Sequence, residues 1–242
     1  MSRIRTKEEA IARIGDGNLL VFSGMQLNRA PIALVKEIIR QKKKDLRLVG
    51  TPNPLPINML IKEGCVAEAI TAFNGFSYEG GFVISPAWRK AIEQQKIKYR
   101  ETDASEIVQG LRASAMGLPF MPMVSMEGSD YCKVNKYRKV SFGGEDVFIA
   151  EALRPDYAII HAHAADKKGN IFVDGALNDE LLANASRKVI ASVERIADRL
   201  DKVTIPYFLV ESVVEIPGGA KPTACAGEYD YDVDSIEGMV KG

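Results

Sequence analysis

Three stretches of this chain gather residue types that could do chemistry. In Ser23-Gly24-Met25-Gln26-Leu27-Asn28 a small, unhindered turn follows the apolar run Leu19-Leu20-Val21-Phe22. Backbone N–H groups exposed at such a junction can stabilise an oxyanion, and Gly24 lets a ligand approach the chain closely. Ser23, Gln26 and Asn28 add three polar side chains at the same mouth, although the stretch also fits an ordinary strand-to-helix turn. The second stretch, Asn74-Gly75-Phe76-Ser77-Tyr78-Glu79-Gly80-Gly81, holds the one carboxylate singled out, Glu79. Burial in this glycine-rich loop would raise its pKa and suit it to acid–base work; the alternative is a solvated loop glutamate. The third is His161-Ala162-His163-Ala164-Ala165-Asp166. Its two histidines are expected to project to opposite faces of a strand end, to ligate no common metal, and to serve as hydrogen-bonded structural groups.

Other chemistries lack their residues. There is no G-x-x-x-x-G-K-[ST] string, and Gly15-Asp16-Gly17 precedes a strand instead of following one, so neither a phosphate loop nor a dinucleotide fingerprint is present. A G-x-S-x-G nucleophile elbow is also missing. Cys65, Cys132 and Cys225 are far apart and form no C-x-x-C pair, so no zinc knuckle or redox motif is indicated. Cys65, after Gly64 at a helix end, reads as a small buried hydrophobe. With two histidines in the chain, no metal site is expected.

The elements that must position these stretches alternate regularly. Thr6-Lys7-Glu8-Glu9 has the spacing of a capping box, followed by a short amphipathic helix through Ala10, Ile11 and Ile14. Leu19–Phe22, Leu46–Val49, Ala67–Phe73, Lys98–Glu101, Tyr157–Ile160 and Val189–Val193 read as strands, several apolar enough to be buried on both faces. Between them, helices are expected from Pro31 to the Lys42-Lys43-Lys44 run, over 57–63, from Pro86, and from an Asp103 cap with Glu106. Basic residues at a helix C-terminus explain the lysine run without a phosphate partner. Lys168-Gly169-Asn170 reads as a tight turn. The pattern predicts one α/β domain over residues 1–242 with an open, mostly parallel sheet and helices on both faces. A Met-rich, irregular excursion around 118–144 is the candidate partner-facing segment. In such sheets ligands gather beyond the carboxyl ends of the strands, where the loops named above fall, together with Gly50-Thr51-Pro52-Asn53-Pro54.

Composition narrows the classes further. The 242 residues carry 32 Lys+Arg against 32 Asp+Glu, which gives no basic excess for nucleic acid. Hydrophobic residues at 46% and charged residues at 26% are globular values, so a disordered chain and a disulfide scaffold are excluded. A near-zero net charge leaves little repulsion against association with a partner chain. No apolar stretch approaches the ~20 residues of a membrane span, and the N-terminus lacks a signal-peptide core. A cytoplasmic location without membrane association is therefore expected.

Several strings, in order, resemble the A (α) subunit of family I CoA-transferases. Asp16-Gly17, Val21-Phe22-Ser23-Gly24-Met25 and Pro31 are similar to that family's glycine-rich oxyanion loop. Gly64-Cys65-Val66, Gly75-Phe76, Leu111 to Phe120, Arg154-Pro155-Asp156, His161 to Asp166 with Gly169-Asn170, and Pro217 to Cys225 resemble the α-subunit pattern of glutaconate CoA-transferase. Ala30-Pro31 and Pro52-Asn53-Pro54-Leu55-Pro56 resemble the α subunit of the 3-methylglutaconyl-CoA decarboxylase group. Ser23-Gly24-Met25-Gln26 stands where many transferases have Gly-Gly-Phe. Gly75-Phe76-Ser77 stands where Gly-Phe-Glu is usual, and Lys221 where histidine is common.

The resemblance implies the CoA-transferase/ribose-5-phosphate-isomerase-like fold. It also implies that the partner is a B (β) subunit, in a heterotetramer or larger assembly, with acyl-CoA and a small carboxylic acid as substrates. No cofactor would be bound permanently, coenzyme A being the substrate carrier. The nucleophilic glutamate would lie on the β subunit, and covalent catalysis there would divide one acyl transfer into easier steps. This chain would supply oxyanion donors and part of the acyl pocket through Ser23, Gly24, Met25, Gln26, Asn28, Asn74, Gly75 and Phe76, with Glu79 as its catalytic candidate. Alternatives on the same scaffold are a CoA-thioester decarboxylase, a ring-opening CoA-thioester hydrolase, and a non-catalytic structural subunit.

Overall fold

A computed structural model describes residues 3–78, 81–123 and 126–241. In chain order the strands are β1 (Leu19–Phe22), β2 (Leu46–Gly50), β3 (Val66–Thr71), β4 (Gly75–Tyr78), β5 (Gly81–Ile84), β6 (Lys98–Glu101) and β7 (Phe120–Pro122). They continue with β8 (Lys139–Phe142), β9 (Glu145–Glu151), β10 (Tyr157–Asp166), β11 (Ile171–Phe172), β12 (Lys188–Ala197) and β13 (Val210–Glu215). The helices are α1 (Lys7–Ile11), α2 (Ile32–Arg40), α3 (Pro54–Lys62), α4 (Pro86–Glu93), α5 (Ala104–Ala115), α6 (Tyr131–Val134), α7 (Asp179–Ala185) and α8 (Val233–Lys241).

The main sheet runs β13-β12-β10-β1-β2-β3-β6, every neighbouring pair parallel, with β11 antiparallel on β10. Its order reverses between β1 and β10, which opens a crevice at their carboxyl ends. Alternation along β1 explains the two cores. Leu20 and Phe22 join Leu34, Ile38, Leu48, Leu60, Trp88, Ile159 and Ile190 on one face. Val21 joins Val49, Ile107, Leu111, Ile160, Leu182 and Val189 on the other. Both faces are therefore dry, which is why these strands read as unbroken apolar runs. None of the helices described is long and apolar enough to cross a membrane.

Local signals act where the sequence places them. The Thr6 hydroxyl accepts from Glu9 N–H at 3.2 Å, and the Glu9 carboxylate accepts from Thr6 N–H at 3.1 Å, completing the capping box. Asp103 caps α5 by accepting from Ser105 N–H at 2.8 Å. Glu106 does not cap; it bonds Arg100 and the Thr102 hydroxyl instead. Asp166 accepts three successive N–H groups, from Lys168, Gly169 and Asn170, and this makes the 168–170 turn.

Three expectations need correction. The α3 helix starts at Pro54 and not at Ile57, because proline fits a first helical turn whose N–H groups have no intrahelical partner. The stretch read as a loop after β3 is a two-stranded antiparallel hairpin of β4 and β5. The 118–144 excursion is not irregular throughout. Phe120–Pro122 and Lys139–Phe142 both pair with β9, in a small antiparallel sheet ordered β7-β9-β8.

Candidate functional site

The loops after β1, β2 and β3 are bound into one cluster at the crevice. Gly24 has φ +90°, a conformation that favours glycine. A Cβ there would fall 2.4 Å from Asn28 O and 2.7 Å from Arg29 O, so the chain can fold back on itself only without a side chain. The fold-back is a turn in which Met25 N–H donates to Asn28 O at 3.0 Å and Asn28 N–H to Met25 O at 2.9 Å. Gln26 N–H donates to Pro52 O at 2.6 Å, and Ser77 N–H donates to the Gln26 side-chain oxygen at 3.3 Å. The Asn53 amide donates to Ser23 O. Loop 23–28, loop 51–53 and the β4–β5 hairpin are thus tied by direct hydrogen bonds.

The candidate residues divide by what they do there. The Ser23 hydroxyl is buried, accepting from His161 N–H at 3.0 Å and donating to Arg29 O at 3.4 Å, so it pins the strand end. Met25 is exposed. Phe76 is buried with Leu27, Ala30, Ile32 and Leu55, and anchors the hairpin. A Cβ on Gly75 would meet the Phe82 ring at 2.6 Å. Asn28, Asn53 and Asn74 share a different property. Asn28 Oδ1, Asn53 Oδ1 and both polar atoms of Asn74 are buried without a protein partner, four of the six such atoms among the described residues. Each orphan costs about 1–3 kcal/mol. All four lie in the three adjoining loops of the one cluster. Among the described residues, the N–H groups of Gly24 and Leu27 also have no acceptor, whereas those of Met25, Gln26, Asn28 and Arg29 are all committed. Glu79 lies outside the described residues.

Sequence reasoning missed the groups that hold the cluster in place. Arg29, buried and at φ +55°, forms a two-pronged ion pair with Asp179 at 2.7 and 2.8 Å and donates to His161 O at 3.0 Å. From the other side the Gly219–Cys225 stretch clamps the same loop. Arg29 N–H donates to Ala224 O at 2.6 Å, Ala224 N–H to Leu27 O at 2.8 Å, and Ala30 N–H to the Thr223 hydroxyl at 3.1 Å. Two sequence strings read separately are therefore one structural unit.

The histidine expectation is also corrected. Residues two apart on a strand share a face, and His161 and His163 both meet the C-terminal stretch. Glu194 accepts from His161 Nε2–H at 2.7 Å, from the Tyr229 hydroxyl at 2.7 Å and from Gly218 N–H at 2.8 Å. Burial alone would push the Glu194 carboxyl up, but these three donors hold it down at about 2. With Glu194 taking the Nε2 proton, His161 Nδ1 accepts from Ser192 Oγ at 2.8 Å. Burial lowers the His161 pKa, against the opposing pull of Glu194, so the ring is neutral. His163 accepts from Asp174 N–H at 3.1 Å and donates to Ala226 O at 2.9 Å, with the Cys225 sulfur 3.6 Å away. Burial, then the Glu194 charge, pushes the Cys225 thiol up to about 11. Donor atoms of His161, Glu194 and Cys225 lie within 4.8 Å of one another. The His161 and Glu194 atoms are already committed to hydrogen bonds. The cluster forms a hydrogen-bonded brace.

The sequence profile of the family described as Coenzyme A transferase matches residues 4–216. The α subunit of 3-oxoadipate CoA-transferase from Pseudomonas knackmussii is 32% identical over 96% of this chain and 85% of its own length. The α subunit of glutaconate CoA-transferase from Acidaminococcus fermentans is 31% identical over 96% of this chain and 80% of its own. A relative from Archaeoglobus fulgidus is 34% identical over 95% of this chain, which spans only about half (53%) of that relative's length. Among solved structures, the decarboxylase AibA/AibB superposes with a TM-score of 0.94 at 40% identity, over 100% of this chain and 94% of that one.

Proposed function

This chain belongs to the coenzyme A transferase family, and on that premise we propose that it is the α subunit of a heteromeric acyl-CoA enzyme that moves coenzyme A between carboxylic acids. The observation that carries this reading is the composition of the crevice. Its loops hold the carboxamides of Asn28, Asn53 and Asn74, two backbone N–H groups without an acceptor among the described residues and one locked hydroxyl, and the described loop residues 23–28, 51–53 and 74–78 include no Asp, Glu or Cys. Such a set stabilises developing negative charge and shapes a pocket, but it does not attack a thioester. The nucleophile then comes from a β subunit, whose glutamate displaces CoA thiolate from the acyl-CoA to form an acyl-glutamyl anhydride. The thiolate attacks the glutamyl carbonyl, releasing the first carboxylate and leaving an enzyme-CoA thioester, and the same steps in reverse pass CoA to a second carboxylate. Here Gly24 and Leu27 N–H face the thioester oxyanion, Asn28, Asn53 and Asn74 position the acyl group and its neighbours, and Glu79 orients substrate.

A second reading has its own support. The 40% identity to a protein described as a decarboxylase exceeds the 32% and 31% to the two transferase subunits. On the same scaffold, loss of carbon dioxide from a CoA thioester would need the oxyanion donors and no covalent nucleophile. Co-expression with a β subunit, followed by assay against a panel of dicarboxylic acyl-CoAs, separates the two. CoA appearing on an added carboxylate supports transfer. Carbon dioxide release with no acceptor requirement overturns transfer in favour of decarboxylation.

A further inference from the structure

Away from the crevice, the C-terminal half of α3, the length of α4 and the end of α8 enclose a cleft of about 250 Å³. Its walls are apolar, with Ile61 and Val240 among them, and its rim carries Lys62, Lys90 and Lys96. Among the described residues no aspartate or glutamate lines it, and none of the three lysines takes part in an ion pair. The polar group in its wall is Asn58, which is almost wholly buried. Asn58 Oδ1 accepts from the Ser85 hydroxyl at 2.8 Å and from Ala87 N–H at 3.0 Å. That fixes the orientation of the carboxamide and leaves its Nδ2 group, which has no partner among the described residues, as a donor on the cleft wall.

We propose that this cleft is a second ligand site, distinct from the crevice, and that it takes a small aliphatic carboxylate. The cations and the Asn58 donor call for an anion, since no side chain in the lining offers a free acceptor to a cationic ligand. The apolar walls call for a hydrocarbon body, which a bare inorganic anion lacks. A low-dielectric cleft carrying one sign of charge concentrates such ligands. The site also adjoins the crevice through the backbone: Ser85, held by Asn58, donates its N–H to Asn74 O at 3.0 Å. The proposal does not depend on the transferase reading, because its residues are not those assigned to the crevice.

The test uses the full chain labelled with nitrogen-15 and titrated at constant ionic strength with hexanoate, inorganic phosphate or 1-hexanol. The expected result is saturable shifts at the Asn58 side-chain amide and at the Lys62, Lys90 and Lys96 amides with hexanoate. Phosphate should bind distinctly more weakly, and hexanol should give no saturable shift. A Lys62→Ala/Lys90→Ala/Lys96→Ala variant, all three being exposed positions, should weaken hexanoate about tenfold, the sum of three solvent-exposed charge contributions. Hexanoate shifts confined to the crevice residues, shifts unchanged in the triple variant, or phosphate binding as tightly as hexanoate would each overturn the proposal.

Discussion

Arg29 and Asp179 stand 150 residues apart in sequence and meet in a buried fork-to-fork ion pair, 2.7 and 2.8 Å across its two bonds. Each is 2% exposed as a side chain. The pair fastens the loop after β1 to the first turn of α7, and the third Arg29 bond, to His161 O, fastens it to β10. These bonds tie the crevice loop to two other elements of the fold.

Breaking that pair from one side leaves an uncompensated buried charge. Arg29→Met should lower unfolding stability by about 3–5 kcal/mol. The double change Arg29→Met/Asp179→Leu should regain much of the loss, because no charge is then stranded. Urea unfolding of the three proteins measures this. Equal loss in single and double variants would mean that the guanidinium's shape, not its charge pairing, holds the loop.

Gly24 admits no Cβ at its present backbone geometry. Gly24→Val should distort the fold-back and lower kcat/KM by about 10²–10³-fold, the scale of losing an oxyanion donor. Size-exclusion chromatography of the assembled enzyme should be unchanged. Normal kinetics in an assembled Gly24→Val enzyme would remove loop 23–28 from the reaction.

Asn74 should separate stability from activity. Its two unpartnered polar atoms weaken the isolated chain, so Asn74→Ala should leave the melting temperature unchanged or raised while kcat/KM falls. A structural asparagine would show the reverse, a lower melting temperature with activity intact.

Acid should loosen the brace around Glu194. Glu194 and His161 both hold pKa values below their ordinary 4.5 and 6.5, so the unfolded chain takes up their protons first. Their stabilisation is complete above those ordinary values and is lost as pH falls, from 6.5 downward for His161 and between 4.5 and about 2 for Glu194. Melting curves at falling pH should show this decline. Glu194→Gln should flatten the lower part of it. An identical acid limb in that variant would assign the decline to other carboxylates.

Much of the fold was legible because burial on both faces writes itself as apolar runs, as in Leu19–Phe22 and Val189–Val193. The capping residues Thr6 and Asp103 likewise act within one helical turn. The β4–β5 hairpin was not legible. Gly75-Phe76-Ser77-Tyr78 is short, glycine-led and held by Phe76 packing on Leu27 and Leu55, contacts that sequence spacing does not reveal. The crevice was half legible. Ser23-Gly24 stood out by position, yet Arg29, Asp179, Glu194 and Tyr229 look in sequence like ordinary surface residues. Only the parallel sheet brings the ends of β1, β10 and β12 side by side, where Arg29 from the loop after β1 meets Asp179 of α7 and Glu194 of β12 meets Tyr229. One signal was available: Asn53 sits between two prolines immediately after a buried strand, where an asparagine amide can bridge neighbouring strand ends.

The central claim is that the covalent nucleophile belongs to the partner and not to this chain. The direct measurement is to mix the two-subunit enzyme with acyl-CoA, trap the enzyme thioester by borohydride reduction, and locate the modified residue by peptide mass spectrometry. The account predicts a modified glutamate on the β subunit, with this chain unmodified. Modification of Glu79, or of any other carboxylate of this chain, would contradict it.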